Sequence, residues 1–492
     1  MPAGHLLSKK SALAGLQCHK RLWWELHEPE APELRESAAV RHRMDEGARV
    51  GVLARTYVPG GYLVSRGAYD VDALVAQTRA AMVDPGVRIL YEAAFVAHDT
   101  LVFTDILQRV EGGWSLIEVK ATTSVNDTTH VADIAVQAAV LRAAGVPVRR
   151  YELMHLDRRC QFPDLSSLFV REDVTARVHA RIDDIERELA AQATTARRSA
   201  PPHAEIGPHC SRPDECPFKA RCWPVQPEHH VRTLYRIGAA ADAFVGAGWE
   251  TIPDLPESVK LGAIAARQRR AVREGSIVID RDALVRALAT VARPVAHIDF
   301  ETVQPAVPVW PGCRPYEQVP VQLSCHVVDV DGTVQHRAWL FDGDDDPRPG
   351  AARAILDACS GACTVTAYYA HFERHCIELV ADACPDHAAE LRAIAGGIVD
   401  LLPIVRDHVY HPAFNGSFSL KKVLPALVPE LSYDGLAIAE GETAQVQLAR
   451  MIFERERMSD EERREIRDAL LTYCELDTRA MVALEERLRA LV

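Results

Sequence analysis

From residue 87 onward, short apolar runs alternate with polar turns. The runs at 87–96, 101–110 and 114–120 are rich in Val, Ile, Leu and Phe, and Glu111-Gly112-Gly113 marks a hairpin between the last two, so the pattern predicts three strands. An Ala/Leu/Val-rich stretch at 131–144 predicts a helix ending at Gly145, and 148–156 predicts another strand. Upstream, residues 1–55 place Leu13, Leu16 and Trp23 at roughly helical spacing; downstream, 172–198 reads as a long amphipathic helix closed by the loop at Pro201-Pro202. Residues 229–290 alternate helical patterns with Gly238, Gly246, Gly248 and the turn Pro253-Asp254-Leu255-Pro256, which predicts a small helical joining module or a helical hairpin that touches nucleic-acid backbone. Pro294 opens a second α/β pattern, with strands at 295–300, 320–330 and 334–341, a helix at 349–359 and a strand at 363–369. Two helices, near 459–470 and 471–490, end it, and Ser459 with Glu462 has the capping-box spacing. The fold class is α/β, in three parts: 1–228, 229–290 and 291–492.

Composition narrows the function classes. With 48% apolar and 25% charged residues, the 492-residue chain is ordinary globular material and long enough for large cores. Its net charge of −13 excludes a simple basic nucleic-acid coating protein, but not a nucleic-acid enzyme whose metal-binding carboxylates add negative charge. No apolar stretch approaches the roughly 18–20 residues of a membrane helix, and the charged N-terminal region has no signal-peptide core, so the expected location is cytoplasmic. There the twelve cysteines are expected reduced or bound to metal. No Walker-type phosphate loop is present, and His371-x-x-x-His375 lacks the glutamate that a zincin protease needs after its first histidine.

Asp105 lies on one predicted strand and Glu118-Val119-Lys120 ends the next. Residues two apart on a strand share a face, so Glu118 and Lys120 project together within reach of Asp105. Two carboxylates suit Mg²⁺ or Mn²⁺, and a nearby lysine can position water or offset charge on a phosphate. Surface strands also carry Glu and Lys that simply pair. The strand–hairpin–strand order, followed by a helix bearing Gln137, resembles the PD-(D/E)XK nuclease core of the RecB family. That resemblance implies a supporting role for Gln137 and a histidine ligand on an early helix; the stretch 47–55 has none, and Glu92 is an optional accessory acid.

Cys210, Cys216 and Cys222 sit in a proline-rich loop with five residues between neighbours. Three thiolates so spaced can converge on one metal centre, and Cys18 is the candidate fourth. A distant N-terminal cysteine with a C-terminal trio resembles the iron–sulfur RecB-like exonucleases, including the CRISPR-associated and AddB-type enzymes. The resemblance implies a four-iron, four-sulfur (4Fe–4S) cluster clasping residues 18 and 210–222; zinc is the alternative occupant.

The stretch PVAHIDFETV ends a buried strand in Asp299 and Glu301, whose carboxylates share a face. Tyr473 and Asp477, four apart, share one side of a late helix, and Glu373 lies between the two motifs. Four acids and a tyrosine suit a two-metal site. The pattern resembles DnaQ-like exonucleases of the RNase H-like fold, with Asp299 and Glu301 matching the first motif and Tyr473 and Asp477 the last. Glu373 stands where an aspartate is usual, with Asp400 the rival fourth acid. The run at 414–427 places Lys421 and Lys422 at a helix start that either suits phosphate or is simply a capped amphipathic helix. The order of motifs also resembles a bacterial family in which a RecB-like, cysteine-bearing half precedes a domain with a DFET first motif and a YxxxD last motif.

The expectation is therefore a metal-dependent nuclease acting at strand ends. A PD-(D/E)XK restriction-endonuclease-like mixed-sheet domain with its cluster would be joined through a helical segment to an RNase H-like DnaQ-type domain. The partner would be nucleic acid, DNA ahead of RNA, in repair or phage defence. The alternative is a nucleic-acid-binding iron–sulfur or zinc protein with one or both nuclease folds inactive, acting in an assembly.

Overall fold

The computed structural model describes residues 6–64, 70–438 and 440–492. The chain forms two compact units, 1–225 with 305–316, and 226–304 with 317–492. The expected boundary at 228 thus falls near 225, and the segment 305–316 belongs with the N-terminal part.

The first unit is built on a mixed sheet of β1 (Leu7–Ser8), β2 (Tyr62–Leu63), β3 (Ile89–Ala97), β4 (Thr100–Val110), β5 (Gly113–Lys120), β6 (Val148–Leu156) and β7 (Phe169–Asp173). These run in the order β2-β3-β4-β5-β6-β7, with β1 parallel to the start of β4. The β3–β4 hairpin turns on His98 and Asp99, both left-handed, and the β4–β5 hairpin on Gly112 at φ 73°. The helix His130–Ala143 makes the crossover that lets β6 lie parallel to β5. Its residues Val131–Leu141 are all buried, in a core with Leu90, Leu107, Leu116 and Leu153. The helix Ala38–Tyr57 covers the other face of the sheet through Ala54 and Val58 against Ile106 and Ile117.

The second unit carries β8 (Val278–Ile279), β9 (Val295–Val303), β10 (Val319–Val328), β11 (Val334–Leu340), β12 (Thr364–Ala367), β13 (Val399–Asp400) and β14 (Val409–Tyr410). Among the described residues these form a five-stranded sheet, β11-β10-β9-β12-β13, and a ribbon of β8 with β14. β9 is central, antiparallel to β10 and parallel to β12. The segment 229–290 is helical as its pattern predicts, but it does not stand apart: Val278, Leu284 and Leu288 share a core with Tyr410, Leu424 and Leu484. The two expected terminal helices are one, Asp460–Ala490, because no Gly or Pro interrupts it. Ser459 caps it, accepting from the Glu462 N–H at 3.1 Å; acids fill its first turn and Arg487 and Arg489 its last. Among the described residues no helix is long and apolar enough to cross a membrane.

Candidate functional site

In the first unit the acid set forms where β4 changes neighbours. β4 pairs with β1 at Thr100–Leu101 and with β5 from Ile106 onward. Asp105 lies in the gap, and its Oδ2 accepts the Val119 N–H at 2.7 Å. Glu118 and Lys120 project from β5 toward the crossover helix, as their alternation predicts. Gln137 donates from Nε2 to Glu118 Oε2 (2.7 Å) and to Asp133 Oδ1 (3.1 Å). Lys120 Nζ lies 2.9 Å from Glu118 Oε1 and also pairs with Asp133.

Two members of this set escaped the sequence reading. Asp133 stands one turn before Gln137 on an otherwise apolar helix, so a polar pair at i and i+4 was its signal. Lys9 comes from the first turn of the helix Lys9–Gln17; its Nζ is 2.7 Å from Glu118 Oε1 and 3.0 Å from Asp133 Oδ1. Nothing in local spacing marks it, because the β1–β4 pairing brings it there. Among the described residues no early-helix histidine joins this set; His130, at the start of the crossover helix, is lowered by burial and then by Lys120. Glu92 sits at an irregularity in β3 with a left-handed backbone and pairs with Arg55 at 2.7 Å.

Burial, then the Glu118 charge, pushes Asp105 up to about 8 against Lys9 and Lys120. Burial works to raise Glu118 too, but Lys120 and Lys9 hold it well below the usual carboxylate range. The three carboxylates have the chemistry a divalent ion requires, yet both oxygens of Glu118 already accept from ammonium or amide groups.

The cysteine set lies at the far end of the same N-terminal helix. Cys18 ends the helix Lys9–Gln17, Cys210 sits in the turn Pro208–Ser211, and Cys222 closes the short helix Lys219–Cys222. The Cys216 N–H donates to the Cys210 carbonyl at 2.9 Å. All four line one space with Lys20, Arg21, Lys219, Trp24 and Phe218. Gln17 Nε2 reaches the carbonyls of His209, Arg212 and Asp214 at 2.7, 3.1 and 2.7 Å, and Arg221 pairs with Glu28 and Glu33. Burial raises the Cys216 thiol, with Cys18 and Cys210 adding to it against Arg21. Among the described residues no disulfide joins the cysteines.

In the second unit Asp299 and Glu301 lie on β9 beyond the end of its pairing with β12, which stops at His297. The chain leaves β12 and turns at Tyr368 and Tyr369, and Tyr369 is left-handed at φ 68°. Asp400 Oδ1 secures that turn, accepting from the Tyr369 N–H (2.9 Å) and, as helix cap, from Leu402 N–H (3.0 Å). The open flank becomes a cavity of about 850 Å³ lined by Asp299, Glu301, Tyr473, Asp477 and Lys421, with Arg236, Arg406 and aromatic rings around them. Part of its rim is Gly416: at φ 83° its backbone approaches so closely that a Cβ would lie 2.0 Å from the Thr233 carbonyl.

The long helix Asp460–Ala490 brings Tyr473 and Asp477 to the β9 acids. Tyr433, which the sequence reading missed, donates to Asp477 Oδ1 at 2.6 Å. Lys421 Nζ lies 5.3 Å from the centre of the Tyr433 ring and 5.4 Å from that of Tyr473. Glu373 does not line the cavity; it is buried behind it, with Oε2 lacking a hydrogen-bond partner. Cys474 also turns toward the acids: its Sγ is 3.5 Å from Asp299 Oδ2. Cys474 and Asp477 are three apart and so share a helix face.

Burial and the Asp477, Glu373 and Glu301 charges raise Asp299 well above the usual range. Glu301 is pushed to about 8 by burial and Asp477, and Glu373 to about 8 by burial and Asp400. Buried like charges disfavour one another's ionised form, and Lys421 offsets Glu301 and Asp477. Among the described residues, no three His, Cys, Asp or Glu side chains stand in the close geometry of a formed metal site; the acids and thiols converge without being drawn together.

A family model described as a domain of unknown function (DUF2779) matches residues 296–419. The match contains Asp299, Glu301 and Glu373 and ends before Lys421, Tyr473 and Asp477. No curated protein and no solved structure matches the chain.

Proposed function

We propose that the protein is a metal-dependent nuclease hydrolysing phosphodiester bonds of DNA or RNA at strand ends. The second unit would be a DnaQ-type module of the RNase H-like class, and the first a RecB-like PD-(D/E)XK module with a 4Fe–4S cluster or zinc. The observation that carries this reading is the group Asp299, Glu301 and Asp477 on one open cavity, with Glu373 behind it, all held difficult to ionise until a cation arrives. Asp105, Glu118 and Lys120, supported by Gln137, would form the corresponding set in the first unit.

A divalent ion supplies Lewis acidity at such a site, at the attacking and leaving oxygens. The chain's own residues do the rest. Lys421, with Arg236 and Arg406 on the cavity wall, attracts and holds the phosphate. Tyr473 orients the water whose oxygen bonds to phosphorus as the bond to the departing sugar oxygen breaks. Tyr433 fixes the Asp477 carboxylate through its 2.6 Å hydrogen bond. The aromatic rings around the cavity suit stacked bases.

The test is nucleotide release from end-labelled DNA and RNA with Mg²⁺ or Mn²⁺. Asp299→Ala and Lys120→Ala, made separately, are expected to remove the activities of the second and first units. Wild type that cleaves no form of DNA or RNA refutes the proposal. A second reading, nucleic-acid binding without turnover, is favoured in the first unit by the two ammonium groups already on Glu118 and Asp133; tight binding in EDTA with no cleavage would support it. Anaerobic purification decides the cofactor: a brown protein whose visible band disappears in Cys216→Ala carries the cluster, and a colourless zinc-loaded one does not.

A further inference from the structure

The first site holds two lysines where the nuclease reading uses one. Lys120 is fixed to β5, two residues from Glu118. Lys9 arrives from a separate segment: β1 docks beside β4 through Leu7 and Ser8, and Ser8 caps the helix that Lys9 begins, its Oγ accepting the Ser11 N–H at 3.0 Å. The Lys9 ammonium bridges Glu118 Oε1 and Asp133 Oδ1 at 2.7 and 3.0 Å. Bridging two carboxylates from different elements is what a divalent cation does in a carboxylate site.

We infer that Lys9 is a positioning residue that holds Glu118 and Asp133 in the place of a divalent ion, and that such an ion must displace it to bind. The inference rests on reading the first unit as a cation site. Lys9 is the ammonium that yields, because it stands on a separate segment at a helix start and its side chain is the more exposed, 27% against 20% for Lys120. Lys120 is rooted on β5, two residues from Glu118, and is the less exposed of the two. Once displaced, Lys9 remains at the site mouth as a charge for an incoming phosphate.

Mn²⁺ binding by calorimetry tests this on the full chain carrying Asp299→Asn and Glu301→Gln, which leaves the first unit to report. Adding Lys9→Met, which keeps the apolar stem, is expected to tighten Mn²⁺ binding about tenfold, and Lys9→Arg to restore the weaker value. Affinity unchanged or weakened in Lys9→Met overturns the inference while leaving the metal reading intact; no Mn²⁺ binding with or without Lys9 overturns both. A second measurement needs no substitution. Reductive methylation mapped by mass spectrometry on the unaltered chain is expected to modify Lys9 several-fold faster at saturating Mn²⁺, with Lys120 unchanged. Equal Lys9 modification with and without bound Mn²⁺ overturns the inference.

Discussion

At the scale of single residues, the second site sets stability against charge. Glu301 and Glu373 are pushed from an ordinary 4.5 to about 8, and Asp299 and Asp477 also rise. A carboxyl that is harder to ionise in the fold keeps a proton that the unfolded chain has already lost. Stability from these groups is therefore complete below about 4.5 and drains away as pH rises toward about 8. Glu118, held low, already contributes fully through this window and does not mask the trend. Without divalent ions, the melting temperature is expected to fall on the order of 5 °C between pH 5.5 and 8.5. Saturating Mn²⁺ is expected to raise it more at pH 8.5 than at 5.5. Calorimetry that finds a metal-free melting temperature rising across this window contradicts the raised acids. Glu373, buried with an unpaired oxygen, gives a sharper case. Glu373→Gln is expected to stabilise the metal-free protein at pH 8.5 and to cut nucleotide release at least about tenfold; a destabilised variant would mean that the negative charge is structurally required.

At the scale of elements, the nine-residue helix Lys9–Gln17 joins two sites, with Lys9 on the acids at one end and Gln17 and Cys18 at the cysteine loop at the other. Gln17→Ala removes the hydrogen bonds to His209, Arg212 and Asp214 and is expected to cost about 1–2 kcal/mol. The readouts are faster amide exchange over this helix and faster maleimide labelling of the buried Cys210; unchanged rates would show that the anchorage adds nothing. This helix also marks where sequence reading reached its limit. The strands at 89–97, 100–110, 113–120 and 148–156 and the crossover helix were legible to within about two residues, because local alternation and turn residues specify them. So were the acids Asp105, Glu118, Asp299 and Glu301, since strand period places each motif on one face. Lys9 and Tyr433 were not, because each reaches its carboxylate across a long stretch of chain that no local period encodes. Asp133 was legible in principle, as a polar residue one turn from Gln137.

At the scale of the whole molecule, the division near 225 falls just after the cysteine loop, but the segment 305–316 breaks it. That segment follows Val303 of β9, is rich in Pro and apolar residues, and reads locally as a loop. It belongs instead to the first unit, where Ala306 and Val307 fill a core with Val50, Leu156, Cys160 and Leu168. The Ala306 N–H donates to Glu46 at 2.8 Å, and the Tyr316 hydroxyl donates to the Ala121 carbonyl at 2.6 Å, one residue beyond Lys120. A fragment ending at 228 therefore lacks part of its own core and the tether at the end of β5. Losing buried Ala306, half-buried Val307 and these two hydrogen bonds is expected to cost such a fragment about 3 kcal/mol. Hydrogen exchange should show β6 and residues 160–168 less protected in the fragment than in the full chain, and a synthetic peptide spanning 303–318 should restore protection when added in excess. If fragment and full chain protect these residues equally, the segment merely covers a surface that is already complete, and the first unit ends where its cysteine loop does.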